Sequence, residues 1–153
     1  MEKLKLSTAN LVILISGVVM LLGSFLPFGK VTRTSFSVTG ITVGSHSISA
    51  WGTNLFLIAT IPALIGVVMA AQVALATFAP QVKLPDAVLG FTWTQIHLVL
   101  GFQATIMMLA FLIQDTGSLD KGIGLFLMLI AAIALLVGAV LRMQESPSAP
   151  PLA

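Results

Sequence analysis

The sequence contains no cysteine, and only seven lysine and arginine and five aspartate and glutamate residues among its 153 positions. The absence of cysteine excludes disulfide bonds, thiol catalysis, thiolate-bound zinc and iron–sulfur clusters. Charged residues make up 8% of the chain, against about 25% in ordinary soluble domains, so a water-soluble fold would have almost nothing to place on its surface. Because 58% of the residues are hydrophobic, lipid is expected to cover much of the protein.

Two further absences narrow the function. The net charge is only +2 and no basic run of the kind that neutralises phosphates is present, so we expect no nucleic-acid partner. No GxGxxG, P-loop, HExxH or GxSxG pattern occurs either. We therefore expect a protein that is not an enzyme and that needs no cofactor and no metal.

The few charged residues are grouped in five short clusters, which leave four charge-free intervals between them. Each interval contains one apolar run long enough for a membrane-spanning helix, which needs about 20 residues to cross about 30 Å of hydrocarbon. The predicted spans lie at about residues 9–28, 54–78, 94–114 and 122–141. The sequence thus predicts an all-α membrane protein, a four-transmembrane-helix bundle that forms a single domain over residues 1–143 within the lipid bilayer. The proline-rich residues 144–153 are predicted to form a disordered tail.

Two prolines are expected to shape the first two spans. Pro27 is expected to end the first helix, because proline removes a hydrogen-bond donor and disfavours helix at the residue before it. Pro62 lies about two turns into the second predicted span and is expected to kink it.

The longest loop, residues 29–53, is rich in serine, threonine and glycine. Within it, hydrophobic and hydroxyl residues alternate on either side of Thr39 and Gly40, a pattern that predicts a hairpin turn between two strands. An isolated hairpin is marginally stable in water. We therefore expect a short extracytoplasmic β-hairpin between helices 1 and 2, docked on helix ends through Phe36 and Trp51.

The basic residues predict the orientation of the bundle. They divide into two sets, Lys3, Lys5, Lys83 and Arg142 on one side and Lys30, Arg33 and Lys121 on the other. The first set is larger and includes the basic head of the first helix, which usually dominates the orientation. We therefore expect a multi-pass protein of the plasma (inner) membrane with both termini in the cytoplasm.

His97 is the one ionisable residue inside a predicted span, and such residues are functional candidates. It shares a helix face with Thr105, while Gln103 lies well round the helix. These three residues form a possible intramembrane polar site. The alternative interpretation is a neutral imidazole near the interface that hydrogen-bonds to a neighbouring helix or to water. A haem shared with His46 is excluded, because that histidine lies in the loop predicted on the opposite side.

Small residues recur at four-residue spacing on two of the spans. The second span carries Gly66, Ala70 and Ala74, and the fourth carries Ala134 and Gly138. Such stripes let helix backbones approach closely where no hydrophobic effect drives association. They are predicted to serve either packing within the bundle or contact with another membrane subunit.

His46 and its neighbouring serines do not form a convincing site. A metal site needs three or four ligands, and the outer loops supply too few nearby carboxylates. A hydrolase needs a base with an orienting partner, and none is visible. These residues are interpreted as solvent-exposed loop polarity.

The run Phe25-Leu26-Pro27-Phe28 is followed by a loop rich in serine, threonine and glycine, the pair Trp51-Gly52 and a second long helix. This arrangement resembles small four-helix membrane proteins of actinobacteria, which typically read F-L-P-W at the end of the first helix. The resemblance covers about a third of the chain and implies no catalytic residue. The outer loop is also similar to that of claudin-like tetraspan proteins, but the paired loop cysteines of that family are absent.

Three functions remain open at this point. The first is a non-enzymatic accessory or scaffold subunit of a larger membrane complex, with other membrane subunits or further copies of itself as partners. The second is a small transporter or channel component in which His97, Gln103, Thr105 and the Pro62 kink line a polar site. The third is a lipid- or quinone-binding membrane protein with a groove between spans 2 and 3.

Overall fold

The computed structural model describes residues 6–37, 40–52, 56–85, 87–115, 117 and 119–145, without the side chains of residues 32–43 and 56. Four long helices form its body: α1 (Thr8–Phe25), α2 (Ile61–Phe78), α3 (Trp93–Ile113) and α4 (Ile123–Glu145). Each is long and apolar enough to cross a membrane, with mean hydropathy between 2.0 and 2.9. The predicted four-span bundle is therefore confirmed.

Apolar side chains cover both the inside and the outside of the bundle. Met20, Met108 and Leu135 are fully buried in the core, while Leu22 and Ile130 are about 60% exposed on the outer faces. A helix that is hydrophobic all round is typical of a membrane span, because lipid replaces water on the outer face. The exposed faces thus account for the apolar composition without requiring a protein partner.

The helices form a ring in which α1 lies between α2 and α4, and α3 lies between α4 and α2. The packing is extensive at α1–α4, α3–α4 and α1–α2, and less extensive between α2 and α3. The α2–α3 side is therefore the more open side of the ring.

Close backbone approach brings α1 against both of its neighbours. A Cβ atom at Gly17 would lie 2.5 Å from the Cβ of Ala70 and 2.7 Å from the carbonyl oxygen of Gly66. A Cβ atom at Gly138 would lie 2.8 Å from Ile13. The predicted small-residue stripes therefore face α1 within the bundle at Gly66, Ala70 and Gly138.

The other two members of these stripes, Ala74 and Ala134, are half-buried. Ala74 lines a shallow apolar groove between α1 and α2 together with Leu14 and Leu21. Gly66, Ala70, Ala74 and Gly138 thus lie along contacts between α1 and its neighbouring helices.

Helix α2 begins differently from the prediction. Pro62 is the second residue of α2 and lies in its first turn, where the missing N–H removes no helical hydrogen bond. The preceding residues, Phe56–Thr60, form a π-helical turn. The wider turn before Pro62 takes up the irregularity that proline imposes, and the kink expected in this span stays a prediction.

Helix α4 continues through Glu145, so it includes Gln144 and Glu145, which the sequence assigned to the tail. Residues 146–153 lie outside the described part of the chain. The side-chain oxygen Oε1 of Glu145 accepts a hydrogen bond from the backbone N–H of Ala9 at 3.4 Å. The start of α1 and the end of α4 therefore lie together, at what we call the terminal end of the bundle.

The opposite end, the sheet end, carries a three-stranded antiparallel sheet of β1 (Gly29–Ser37), β2 (Gly40–Ile48) and β5 (Leu119–Lys121) in the order β2-β1-β5. The predicted hairpin between helices 1 and 2 is confirmed and is longer than expected. Gly40 pairs with Ser37 as the first residue of β2, so its predicted place in the turn is wrong. Alternation alone does not fix strand register to one residue. Thr39 lies outside the described residues.

Strand β5 was not predicted, and it lies in the loop between α3 and α4. Its residue Asp120 stands directly opposite Lys30 of β1. Opposite charges facing each other across two strands favour this register. The pairing also requires both loops to lie at the same end of the bundle, as an up-and-down four-span topology does.

At the terminal end, the loop between α2 and α3 contains a two-residue hairpin of β3 (Ala87–Val88) and β4 (Phe91–Thr92). Its central residues Leu89 and Gly90 both have positive φ, 53° and 84°. A type I′ turn needs this backbone conformation at both positions. Thr92 then caps α3, and its hydroxyl accepts a hydrogen bond from the Gln95 N–H. Gln95 is therefore a capping residue.

The sheet is docked on the helices by side chains next to its outer strand. The indole Nε1 of Trp51 donates a hydrogen bond to Ser24 Oγ at 2.9 Å, and its ring stacks on Phe25 at 5.7 Å. Thr60 Oγ1 donates to the Ala50 carbonyl at 2.6 Å. The Phe36 side chain, the other predicted docking group, lies outside the described side chains.

The close approach at Gly17 predicts that adding a single methyl group there lowers the stability of the protein. Gly17→Ala should lower the thermal midpoint in detergent, because the added Cβ meets the backbone of α2; overpacking of this kind costs about 1–3 kcal/mol. Gly23→Ala is the matched control, since its Cβ would meet side-chain atoms of Leu127 and Met128 at 3.3 Å. Both changes gain the same helix propensity. Equal midpoints for the two variants would contradict the assigned packing.

The Trp51–Ser24 contact predicts energetic coupling between the sheet end and α1. In a double-mutant cycle of Trp51→Phe and Ser24→Ala, we expect a coupling free energy of about 0.5–1.5 kcal/mol, typical of one intramolecular hydrogen bond. Thermal unfolding followed by circular dichroism measures it. The pair Trp93→Phe and Ser24→Ala, which joins opposite ends of the bundle, should be additive. Additivity in both cycles would show that the indole does not dock the sheet.

Candidate functional site

The polar residues at the terminal end meet around Arg142, in the last turn of α4. The guanidinium Nη1 donates a hydrogen bond to Gln72 Oε1 of α2 at 3.1 Å and lies 3.2 Å from His97 Nδ1 of α3. We call Gln72, His97 and Arg142 the Arg142 cluster. It joins three of the four helices through a single side chain.

The contact with Arg142 assigns the tautomer of His97. Arginine carries only donors, so Nδ1 of the imidazole must accept the hydrogen bond, and the ring proton is then on Nε2. His97 is only 1% exposed, and its Nε2 has no hydrogen-bond partner among the described residues. A buried donor left without a partner costs about 1–3 kcal/mol. The imidazole therefore holds an unused donor.

The depth of the cluster follows from helix geometry. Gln72 lies six residues before the end of α2, His97 four residues after the start of α3, and Arg142 three residues before the end of α4. At 1.5 Å per residue these positions lie about 5–9 Å inside the helix ends. Three polar side chains at one level meet because their helices are neighbours.

A cavity of about 550 Å³ opens beside the Arg142 cluster at the terminal end. We call it the vestibule. Its wall includes Gln72 and Ala76 of α2, Lys83 in the following loop, Trp93 of α3 and Arg142 of α4. The imidazole of His97 packs edge-on against Trp93, at 6.5 Å between ring centroids, so it lies behind this wall.

The loop that roofs the vestibule is held by a hydrogen bond to α3. The indole Nε1 of Trp93 donates to the Pro85 carbonyl at 2.7 Å, and both residues line the cavity. Pro80 and Pro85 bracket the lining segment and restrict its backbone. The hydrogen bond and the two prolines therefore restrict the conformation of the loop that lines the vestibule.

The chemistry of the vestibule favours a negatively charged ligand. Two of its lining residues, Lys83 and Arg142, are basic, and no acidic side chain lines it within the described part of the chain. Glu145 interacts electrostatically with Arg142 from the next turn of α4. Arginine and lysine together suit oxyanions such as phosphate or carboxylate.

The predicted polar site of His97, Gln103 and Thr105 is not brought together. Thr105 Oγ1 donates to the Gly101 carbonyl at 2.8 Å and lies 3.1 Å from the Ala132 carbonyl of α4, two turns away from His97. Gln103 is exposed on the outer face of α3. Only His97 contributes to the cluster that the structure forms.

Sequence reasoning missed Gln72, Lys83 and Arg142. It ended the fourth span at residue 141, which placed Arg142 in solvent. A signal was nevertheless available, because Gln72, His97 and Arg142 lie at similar distances from the same end of their helices. Polar residues at one depth of a membrane bundle pair with one another.

On the sheet end, His46 lies exposed in β2 opposite Val31. Within the described residues, no group of three histidine, cysteine, aspartate or glutamate side chains comes close enough to hold a metal ion. His46 is therefore part of a strand surface and contributes to no cluster that the structure describes.

No protein-family model, curated protein or solved structure matches this chain. The functional interpretation of the vestibule accordingly rests on its own geometry, and the resemblance to actinobacterial four-helix proteins stays a prediction.

The cluster predicts different effects for two glutamine substitutions. Gln72→Leu removes the acceptor of an arginine donor inside the bundle and should destabilise the protein by about 1–3 kcal/mol. Gln103→Leu is the matched control: it makes the same chemical change on an outer helix face, and replacing an amide exposed to lipid should be neutral or stabilising. Thermal midpoints in the same detergent measure both effects. A midpoint unchanged by Gln72→Leu would contradict the cluster.

Proposed function

We propose that this chain is a non-enzymatic integral membrane protein that binds a membrane-resident amphiphile, with the polar part of the ligand in the vestibule. This corresponds to the lipid-binding function considered from the sequence. The observation that carries the proposal is the meeting of the Arg142 cluster with a cavity at one end of the bundle.

The position of the cavity supports an amphiphile as ligand. Its wall is formed at the junction of α2, α3 and α4, and α2 and α3 are the less tightly packed neighbours in the ring. The lining also includes the apolar side chains of Ala76, Val82 and Leu84 beside the polar ones. A ligand with a polar head and an apolar tail matches both kinds of lining residue.

The structure weakens one argument for an accessory or scaffold subunit. Gly66, Ala70 and Gly138, which suggested a surface for another subunit, face α1 inside the bundle. Transport through a polar path is also less favoured, because Thr105 and Gln103 lie apart from His97. Both functions stay predictions, and no described contact argues for either over amphiphile binding.

The proposed location is the plasma membrane, with both termini in the cytoplasm. Its support is the sequence, in which Lys3, Lys5, Lys83 and Arg142 form the larger set of basic residues and the basic head of the first helix usually dominates the orientation. With this orientation the vestibule opens towards the cytoplasmic leaflet. The ligand would then be a component of that leaflet.

Native mass spectrometry in a mild detergent tests the proposal. The wild-type protein should retain an amphiphile through collisional activation that removes the detergent. Ala76→Trp should abolish retention, because Ala76 lines the vestibule and the indole would fill it. Ala110→Trp is the matched control on the exposed surface of α3 towards the sheet end, and it should retain the ligand.

Two results would contradict amphiphile binding in the vestibule. One is a wild-type protein that carries no amphiphile after extraction from its native membrane. The other is equal retention in Ala76→Trp and Ala110→Trp, which would place the bound molecule elsewhere on the bundle.

A further inference from the structure

We infer that the amphiphile of the vestibule is an anionic phospholipid, whose phosphate is held between Lys83 and Arg142. This inference rests on the proposed function and specifies the chemical class of its ligand. The shared chemistry is that of a phosphate oxyanion, which a lipid headgroup or free phosphate could supply. The observations favour the lipid as its source.

The charge of the vestibule is the first argument. Lys83 is an exposed loop residue, and Arg142 is half-buried in the last turn of α4. The two residues come from separate elements and line one cavity, where no described lining residue carries a carboxylate. Lysine serves as a point charge for phosphate, and arginine as a planar donor group.

The fixed position of the guanidinium is the second argument. Nη1 of Arg142 is held by Gln72 from one helix and by His97 from another. Both acceptors are neutral groups, so they orient the arginine without changing its charge, which also interacts with Glu145 in the next turn of α4. An oriented cation that lines a cavity attracts an anion without having to be ordered first.

The depth of the site is the third argument, and it favours a lipid over a free ion. Arg142 lies about 5 Å inside the end of α4, while Lys83 lies in the loop beyond the end of α2. The cations therefore span the boundary between hydrocarbon and headgroups, where lipid phosphates lie. A lipid of the surrounding leaflet reaches this level without leaving the membrane.

The experiment compares lipids of different charge on one protein. Delipidated protein is titrated with phosphatidylglycerol or phosphatidylcholine in detergent, and bound lipid is counted by native mass spectrometry. We expect phosphatidylglycerol to bind more tightly, and Lys83→Gln to weaken its binding about fivefold. The same change should weaken phosphatidylcholine binding less, because the choline ammonium already offsets the charge of that lipid's phosphate. Lys30→Gln makes the same charge change at the sheet end and should leave both affinities unaltered. Arg142→Gln should have a larger effect, but Lys83 carries the test because its exposed loop position is independent of the helix packing.

Inorganic phosphate provides the second arm. It should fail to displace phosphatidylglycerol at concentrations that keep the ionic strength constant. Displacement of the lipid by phosphate, with equal sensitivity to Lys83→Gln, would assign the site to a soluble anion and overturn the inference. Equal affinity for the two lipids, with both lost in Ala76→Trp, would overturn the charge assignment while the proposed function stands. Lipid binding that persists in Ala76→Trp would contradict both the anionic-lipid inference and the proposed function.

Discussion

Hydrocarbon offers no hydrogen-bond partner, and the need to satisfy polar groups inside the protein shapes this bundle throughout. Two hydroxyl groups within the helices donate to backbone carbonyls of their own helix: Ser24 to Leu21 and Thr105 to Gly101. Thr105 Oγ1 also lies 3.1 Å from the Ala132 carbonyl of α4. Gln72 and Arg142 have long side chains whose hydrogen bond reaches across helices. They therefore tie α2 and α4 together at one depth.

The same constraint makes the two ends of the bundle different. At the sheet end, backbone groups close the structure: the Phe28 N–H donates to the Ile48 carbonyl, and the Gly122 N–H donates to the Phe28 carbonyl, each at 2.8 Å. A Cβ atom at Gly122 would lie 2.1 Å from the Pro27 carbonyl oxygen, so glycine is required for this closure. At the terminal end, side chains do this work and leave a cavity between them. The vestibule therefore lies at the terminal end, whereas backbone groups close the sheet end at Phe28 and Gly122.

The architecture could be predicted from the sequence because charged residues are excluded from most positions in a membrane-spanning helix. Charged residues separated by about 20 apolar ones leave little choice but four spans. Details that depend on neighbours were not predictable in this way. Strand β5 is three residues long and exists only because β1 lies beside it. The π-helical turn before Pro62 likewise depends on how one proline is accommodated, which hydropathy does not encode.

The candidate site was predictable in part, and the missing part has a physical cause. His97 was found because a lone histidine in an apolar span is conspicuous. Its partners were missed because a helix end that includes Arg142 and one that stops before it have nearly the same hydropathy. What distinguishes them is the acceptor that the arginine finds on another helix, which a one-dimensional profile does not contain. A comparison of the depth of each residue along its helix would have predicted that Gln72, His97 and Arg142 lie together.

The members of the Arg142 cluster depend on one another for hydrogen-bond partners, and this dependence bears on why the cluster exists. Without Arg142, Gln72 and the Nδ1 atom of His97 would lack the partner that the structure gives them. Without those two residues, Arg142 would lose its hydrogen bond to Gln72 and its contact with His97. Well-packed aliphatic residues in place of a buried polar set are often neutral or stabilising, so stability alone does not account for the three together. The proposed function gives a reason for them: they hold a cation in one orientation at the wall of a cavity, so its position is fixed before a ligand arrives.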